Sequence, residues 1–237
     1  MQTTALNLLA IGIFLMMLSV LLSPLLHISP FVPTGITFAV LGLITADTLG
    51  LQGKGMTLLL DGVSRFSGEY RDRVVRHEAG HFLVAYHLDI PIKDYTLNAW
   101  EALKQGQNGI GGAIVDTEAL LPEKLPPGEL KQLIDRLSAV WMAGIAAETL
   151  SYGEAQGGRD DREKLAATLD YFGRPESETP LKQRWGELQA TTLLKEHQDA
   201  YEALVNAMET QASVSECYQI LQRFSPPQAV GFSVISD

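Results

Sequence analysis

The chain has 237 residues and a formal net charge of −10, a length that accommodates one globular domain of ordinary size and some additional sequence. An acidic chain without a stripe of Lys and Arg repels phosphate backbones, which argues against nucleic acid as a partner. The single cysteine, Cys217, excludes an intrachain disulfide and a metal site built from several cysteines.

The N-terminal segment is apolar and has no charged side chain before Asp47. Residues 5–26 form an uncharged run long enough to cross a bilayer core of about 30 Å as a helix. Residues 34–51 are also apolar but include Asp47 and several Thr and Gly, so a re-entrant or interfacial segment is the alternative there. We expect a membrane anchor over residues 1–54, with transmembrane helices at about 5–26 and 34–51.

Lys and Arg residues follow the second apolar stretch closely, whereas the connector before it has no positive charge. The positive-inside rule then places the remainder of the chain on the cytoplasmic or stromal side of a plasma or thylakoid-type membrane, with membrane lipid as a partner. The basic residues are Lys54, Arg65, Arg71, Arg73 and Arg76.

Residues 55–225 have the composition of a soluble domain, and residues 226–237 are expected to form a loose tail. The predicted fold class is mainly α with a small β-sheet, preceded by an N-terminal transmembrane helical hairpin. The patterns predict a helix from Ser67 to before Pro91, strands at 93–98 and 109–116, and helices at 129–152, 160–172, 180–210 and 215–224.

Residues 77–81 read His-Glu-Ala-Gly-His, the H-E-x-x-H pattern of zinc peptidases. On a helix, residues four apart lie on one face, so the imidazoles of His77 and His81 can reach one ion. Glu78 lies about 100° round the helix from His77, where it can take a proton from a zinc-activated water and pass it to the leaving amine. The pattern predicts a Zn²⁺ site with His77 and His81 as ligands and Glu78 as the catalytic base.

A catalytic zinc needs a third protein ligand and one open position. His87 has the spacing of the third histidine in H-E-x-x-H-x-x-G-x-x-H, but Val84 replaces the glycine that breaks the helix in that pattern. On an unbroken helix His87 lies about 240° round from His81 and faces away from the metal. The other candidates are the neighbouring acids Asp160 and Asp161.

Three segments resemble the FtsH family of membrane zinc proteases. RHEAGHFLVAYHLDIPI (76–92) is similar to the family's active-site helix, and AGIAAETLSYGEAQGGRDDREKLAAT (143–168) is similar to a segment that ends in N-D-x-x-x-A-T. LLKEHQDAYEALVNAMETQASVSECYQIL (193–221) is similar to the C-terminal helices. The resemblance implies an FtsH-type zincin peptidase domain with Asp161, the match to the Asp of N-D, as the third zinc ligand.

The chain also departs from the family. The G-G-R triplet is Ala143-Gly144-Ile145, and N-D is Asp160-Asp161, which leaves Asp160 as an alternative ligand. The sequence contains no G-x-x-x-x-G-K-[ST] phosphate-binding loop and is most similar to the short FtsH-like proteases of cyanobacteria and plastids, which have no AAA ATPase module.

The resemblance therefore implies a membrane-anchored zinc metalloendopeptidase without its own ATPase. Its expected substrates are peptides or unfolded proteins, and a separate AAA ATPase or a homo-oligomer is a candidate partner. Glu148, in the segment that matches A-A-E of the family, is a candidate to hydrogen-bond a ligand histidine, the alternative being a solvated helix carboxylate.

The segment around Gly109, Gly111, Gly112 and Ile114 is expected to be an exposed edge strand beside the metal. Extended substrates commonly add as a strand to such an edge, and glycines let another backbone approach closely. A second function class, a catalytically silent FtsH-like membrane scaffold or binding protein, shares the fold but not the hydrolysis.

Overall fold

The computed structural model of the chain describes residues 2–23, 25, 27, 29, 31–50, 54–64, 67–104, 112–116 and 126–224. The predicted fold class is confirmed at the coarse level, because the described residues are mainly helical with one small sheet. The elements up to the sheet are α1 (Gln2–Leu22), α2 (Phe31–Gly50), α3 (Lys54–Ser64), α4 (Gly68–His87), β1 (Ile92–Thr96), α5 (Ala99–Lys104) and β2 (Gly112–Val115). They are followed by α6 (Pro127–Tyr152), α7 (Arg159–Tyr171), a 3₁₀ turn (Glu176–Glu178), α8 (Thr179–Glu196), α9 (Gln198–Glu209) and α10 (Val214–Phe224).

The chain divides into two compact units. The first consists of Met1–Arg71 and Thr96–Gly112, and the second of Asp72–Tyr95 and Ala113–Asp237. The boundary between anchor and soluble domain that the sequence predicts near residue 54 stays a prediction, and the first unit also contains α3 and α5, which contact each other.

α2 is the one helix among the described residues that is long and apolar enough to cross a membrane. Only 6 % of its most apolar window is buried, unlike the core helix of a soluble protein. The apolar part of α1 found among the described residues, Leu9–Leu22, is shorter. By length and composition α2 could therefore span a bilayer, and the span expected at residues 5–26 remains a prediction.

α3 is an element that the sequence patterns did not predict, and Asp47 of α2 fixes where it begins. The backbone N–H groups of Gly55 and Met56 donate to the two carboxylate oxygens of Asp47 at 2.8 and 2.9 Å. The first N–H groups of a helix have no partner inside the helix, and a carboxylate there also complements the helix dipole. The charge that weakened the second apolar stretch as a membrane span thus serves as a cap.

α4 follows the predicted course closely. The side chain of Ser67 accepts a long hydrogen bond from Tyr70 N–H at 3.4 Å, and the helix ends at His87, before Pro91. β1 and β2 form a two-stranded sheet. Asp116 N–H donates to the Pro91 carbonyl, and Gly112 N–H to Thr96 Oγ1, so the two strands run antiparallel.

α6 lies at the centre of the second unit and approaches its neighbours through small residues. A Cβ on Gly80 of α4 would lie 2.8 Å from the Ala143 carbonyl oxygen, and a Cβ on Gly186 of α8 would lie 2.4 Å from the Ser138 carbonyl oxygen. Both glycines therefore let another backbone come closer than any side chain allows. A hydrophobic cluster between α6 and α7 consists of Ile134, Met142 and Ile145 of α6 and Leu165 and Leu169 of α7.

The segment 180–210, predicted as one helix, is broken at His197 into α8 and α9. His197 has φ −118° and ψ 36°, outside the helical region. Its ring stacks on that of His87 with 3.7 Å between centroids and 13° between planes. The break therefore coincides with a tertiary contact, which helical periodicity could not reveal.

His87 gives the second unit an acid-sensitive contact. Burial, and then the nearby His197, lower its pKa from 6.5 to about 4, while Asp89 acts in the opposite direction. Between these values an unfolded chain binds a proton that the folded protein does not, so the stability that depends on neutral His87 is complete above about pH 6.5 and is lost as the pH falls towards 4. We predict that metal-depleted wild-type protein loses more stability between pH 7.5 and pH 5 than His87→Gln, measured as the denaturant midpoint.

The comparison of wild type with His87→Gln cancels the titration of every other group, including the histidines at 77 and 81. Lys93→Gln, a neutralising change elsewhere in the same unit, is the matched control and should keep the wild-type pH dependence. An equal loss of stability in wild type and His87→Gln would contradict the lowered pKa of His87.

Candidate metal centre

α4 presents His77 and His81 one turn apart on one face, as the motif predicts. Their ring centroids are 4.9 Å apart, and His81 is buried. The ring nitrogens Nε2 of both residues point at one carboxylate, that of Asp161. His77 Nε2 lies 2.9 Å from Asp161 Oδ2, and His81 Nε2 lies 3.5 Å from Asp161 Oδ1.

The other ring nitrogens are held by α6. His77 Nδ1 lies 2.7 Å from Glu148 Oε1, and His81 Nδ1 lies 2.7 Å from the Val140 carbonyl oxygen. A carbonyl only accepts, so His81 must donate from Nδ1, and the same assignment suits the Glu148 carboxylate beside His77. In the neutral rings both Nε2 atoms are therefore unprotonated and carry lone pairs.

Glu148 is itself oriented by several donors, and it is not a solvated helix carboxylate because it is buried. The backbone N–H groups of Gln156 and Gly157 donate to it at 2.9 and 3.2 Å. Arg73 Nη1 lies 3.6 Å from its second oxygen, and the guanidinium of Arg73 lies over the Tyr152 ring at 4.0 Å from the centroid. Glu148 thus connects α4 to the end of α6 and the loop that follows.

Asp161 reaches the site from the first turn of α7. Gly158, at φ 88°, precedes that helix, and a Cβ there would lie 2.2 Å from Ile145 Cγ1. This tight turn brings the buried Asp161 between the histidines, whereas Asp160 is exposed to solvent. The structure thus places Asp161, and not Asp160, in the site.

The three side chains could hold a metal ion, because one ligand atom from each lies within 4.8 Å of the others. Zinc bonds of about 2.0–2.1 Å in a tetrahedron would put neighbouring ligand atoms roughly 3.3–3.5 Å apart. The separations of 2.9 Å to Asp161 Oδ2 and 3.5 Å to Asp161 Oδ1 involve the two different carboxylate oxygens and lie at or below that range. Two imidazoles and a carboxylate are also an ordinary donor set for zinc.

The electrostatics of the three side chains favour a cation between them. Burial disfavours the imidazolium of His77, but hydrogen bonds to Asp161 and Glu148 and nearby negative charge, including Glu78, raise its pKa well above the ordinary range. Burial likewise disfavours the carboxylate of Asp161, yet His81 and His77 hold its pKa well below the ordinary range. Either a proton or a metal ion must therefore separate the lone pairs of the rings from the carboxylate.

Glu78 is buried, and its position is set by the sheet. Ala113 N–H of β2 donates to Glu78 Oε2 at 2.8 Å, which leaves Oε1 without a described partner. Because Gly112 N–H and Asp116 N–H point towards β1, the Ala113 N–H points to the other side of the strand. The sequence motif could not show this contact, since the two residues are 35 positions apart.

The expected substrate strand is only partly described. Gly109 and Gly111 lie outside the described residues. β2 does lie beside the site, through Ala113, but Gly112, Ala113 and Val115 are buried and only Ile114 is partly exposed. The expectation of an exposed strand is therefore wrong for Gly112, Ala113 and Val115, which are buried.

His87 is not in the metal group, because its ring stacks on that of His197 instead. α4 continues unbroken through Val84, as the missing glycine at this position predicts.

Sequence reasoning missed the glycines that make room for the histidines. A Cβ on Gly144 of α6 would lie 2.2 Å from His77 Nε2, and a Cβ on Gly157 would lie 2.7 Å from Glu148 Oε1 and 3.3 Å from His77 Cε1. The signal that could have indicated them is the Gly-Gly pair directly before Arg159 and the glycine inside an otherwise apolar helix.

The chain matches no protein-family model, no curated protein and no solved structure. The case for this site accordingly rests on its geometry and on the motif.

Proposed function

We propose that this protein is a membrane-anchored zinc metallopeptidase, with His77, His81 and Asp161 as the metal ligands and Glu78 as the general base. The observation that carries the proposal is the convergence of His77 Nε2 and His81 Nε2 on the buried carboxylate of Asp161, with a glutamate next to the first histidine in sequence. The resemblance of the motif segments to the FtsH family supports peptide hydrolysis as the reaction and flexible polypeptides as the substrates.

Zinc in this position would lower the pKa of a water molecule to about 7 and polarise the carbonyl of the scissile bond. The protein supplies the remaining parts. Glu148 and Val140 fix the ring orientations, and such outer partners typically change metal affinity 10–100-fold when they are lost. They also fix Nε2 as the nitrogen that faces the ion.

Glu78 accepts the proton of the attacking water and delivers it to the leaving amine. One carboxylate oxygen is held by Ala113 N–H, so the other is free for proton transfer. General acid–base groups of this kind typically contribute 10²–10⁴-fold to the rate.

The experiment that tests the function compares wild type with Glu78→Gln. An amide oxygen can still accept from Ala113 N–H, so the fold and the metal should be retained while the base is lost. We expect zinc content equal to that of wild type and a rate of peptide hydrolysis lower by about 10²–10⁴-fold. Zinc retained in both proteins with no hydrolysis by wild type would instead indicate a binding protein or scaffold, and Glu78→Gln activity within about tenfold of wild type would mean that another group is the base.

Asp161→Asn and Asp160→Asn form a matched pair for the third ligand. Purified full-length wild-type protein should hold about one zinc per chain, and Asp161→Asn should lose most of it because an amide is a poor ligand. Asp160→Asn should remain loaded because that side chain is exposed. Elemental analysis after dialysis gives the result, and equal loading of the two variants would remove Asp161 from the ligand set.

Gly144→Ala tests the fit of α6 against the ligand histidine. The added methyl group would overlap the His77 ring, so we expect zinc affinity to fall by at least about tenfold, as for other changes around the ligands. Gly128→Ala adds the same group to the same helix where nothing lies within 4 Å, and it should bind zinc like wild type. Competition with a zinc-sensitive dye measures both, and unchanged affinity in Gly144→Ala would contradict this packing.

A further inference from the structure

We propose that the first unit carries a surface that lies in the lipid interface beside the membrane anchor, formed by Met56, Leu59 and Val63 of α3 and Trp100 of α5. We call these four side chains the interfacial face. They are exposed, at 37, 56, 39 and 56 % respectively. The inference rests on the membrane-anchor part of the proposed function and adds a second element that contacts lipid.

α3 has the reverse of the polarity expected for a helix on a water-soluble surface. At 100° per residue, Met56, Leu59 and Val63 fall within an arc of about 60°. This apolar arc is exposed, whereas the buried residues of α3 are Asp61 and Ser64. A surface helix of a soluble domain buries its apolar stripe and exposes its polar one, so the medium outside α3 is expected to be apolar.

The polar side of α3 has a defined structural role. Asp61 accepts hydrogen bonds from Tyr70 OH at 3.1 Å and from Ala99 N–H, at the start of α5, at 3.1 Å. These contacts hold α5 against α3 and fix which side of α3 faces outwards. The hydrogen bonds of Asp61 therefore determine which way the apolar arc faces, and α3 is not free to rotate about its axis.

The interfacial face is continuous with the helix that could cross the membrane. Asp47, near the end of α2, caps the first turn of α3 through Gly55 and Met56. α3 therefore begins where the apolar span ends, which is the level of the headgroups if α2 crosses the bilayer. The two oxygens of this carboxylate accept hydrogen bonds from the protein at that level.

Trp100 has the chemistry of an interfacial side chain. Its ring is exposed on α5, and Lys104 Nζ lies 5.4 Å from the ring centroid. Tryptophan is enriched where a bilayer meets water, and a lysine beside it can pair with lipid phosphate. Four apolar side chains are also few for a stable protein partner, since such interfaces typically involve about 20–30 residues a side.

The test uses the full-length protein in lipid vesicles, with a nitroxide label on one introduced cysteine at a time. Burial raises the pKa of the native Cys217 thiol to about 11, so it should stay unlabelled, and labelled wild type measures this background. Leu59→Cys and Val63→Cys probe the interfacial face. Leu41→Cys, exposed on α2, is the lipid reference, and Leu188→Cys, exposed on α8 of the other unit, is the water reference.

We expect the labels at 59 and 63 to be relaxed by oxygen and shielded from a water-soluble nickel complex, at a depth of about 5–10 Å. Free access of nickel at 59 and 63, with Leu41→Cys still shielded, would overturn the interfacial face and leave the anchor standing. Nickel access at all three positions would overturn the anchor, and this inference with it. Spin–spin broadening at 59 and 63 that disappears on dilution with unlabelled protein would show that a second copy covers the face, and would overturn the lipid contact.

A second measurement avoids introduced cysteines. Lipids brominated near the headgroup should quench part of the tryptophan fluorescence of wild-type protein, and that part should be lost in Trp100→Phe. Trp185→Phe, which removes a partly exposed tryptophan of α8, is the matched control and should retain the quenching. Quenching that is unchanged in Trp100→Phe would overturn the proposal even if the labelled variants do not fold.

Discussion

The second unit depends on one electrostatic constraint, which is that two imidazole lone pairs and a carboxylate converge in a buried space. Without a cation these groups repel one another, and burial makes the repulsion stronger because water cannot screen it. A proton relieves the conflict at His77, and a metal ion would relieve it at all three ligands. Because the groups repel one another, other contacts must hold them in place. The Nδ1 hydrogen bonds hold the two rings, and a separate helix, α7, positions Asp161.

That convergence imposes close packing on the elements around it. α4 and α6 must approach until the His77 ring lies against the backbone of Gly144, and the loop before α7 must pass beside Glu148. Glycines at these positions remove the side chains that would prevent the approach. The site is therefore the place where α4, α6 and α7 are fixed relative to one another, so stability and metal binding are expected to depend on the same contacts.

The first unit follows a different rule in α3, where the buried residues, Asp61 and Ser64, are polar and the large exposed side chains are apolar. Asp47 and Asp61 each accept two hydrogen bonds, three of the four from backbone N–H groups at the start of a helix and one from Tyr70. Two carboxylates thus organise α2, α3 and α5 where a soluble domain would use an apolar core. Such an arrangement is stable where the apolar side chains face lipid, since the hydrogen bonds are then protected from water.

The sequence by itself determined the parts of this protein that depend on local spacing, and only the tertiary structure decided what depends on contacts between distant residues. The positions of His77, Glu78 and His81 on one helix follow from the 3.6-residue period. The end of α6 at Gly153 follows from the conformational freedom of glycine, and Gly153 is observed in the left-handed region at φ 82°. Packing selected Asp161 over Asp160 through the turn at Gly158, buried Gly112, Ala113 and Val115 of the strand expected to bind substrate, and broke the helix at His197 where His87 packs. It also turned the apolar arc of α3 outwards through Asp61. Periodicity shows which residues lie on the same face of a helix or strand, but it does not show what that face packs against. Packing between residues that are distant in sequence decides that.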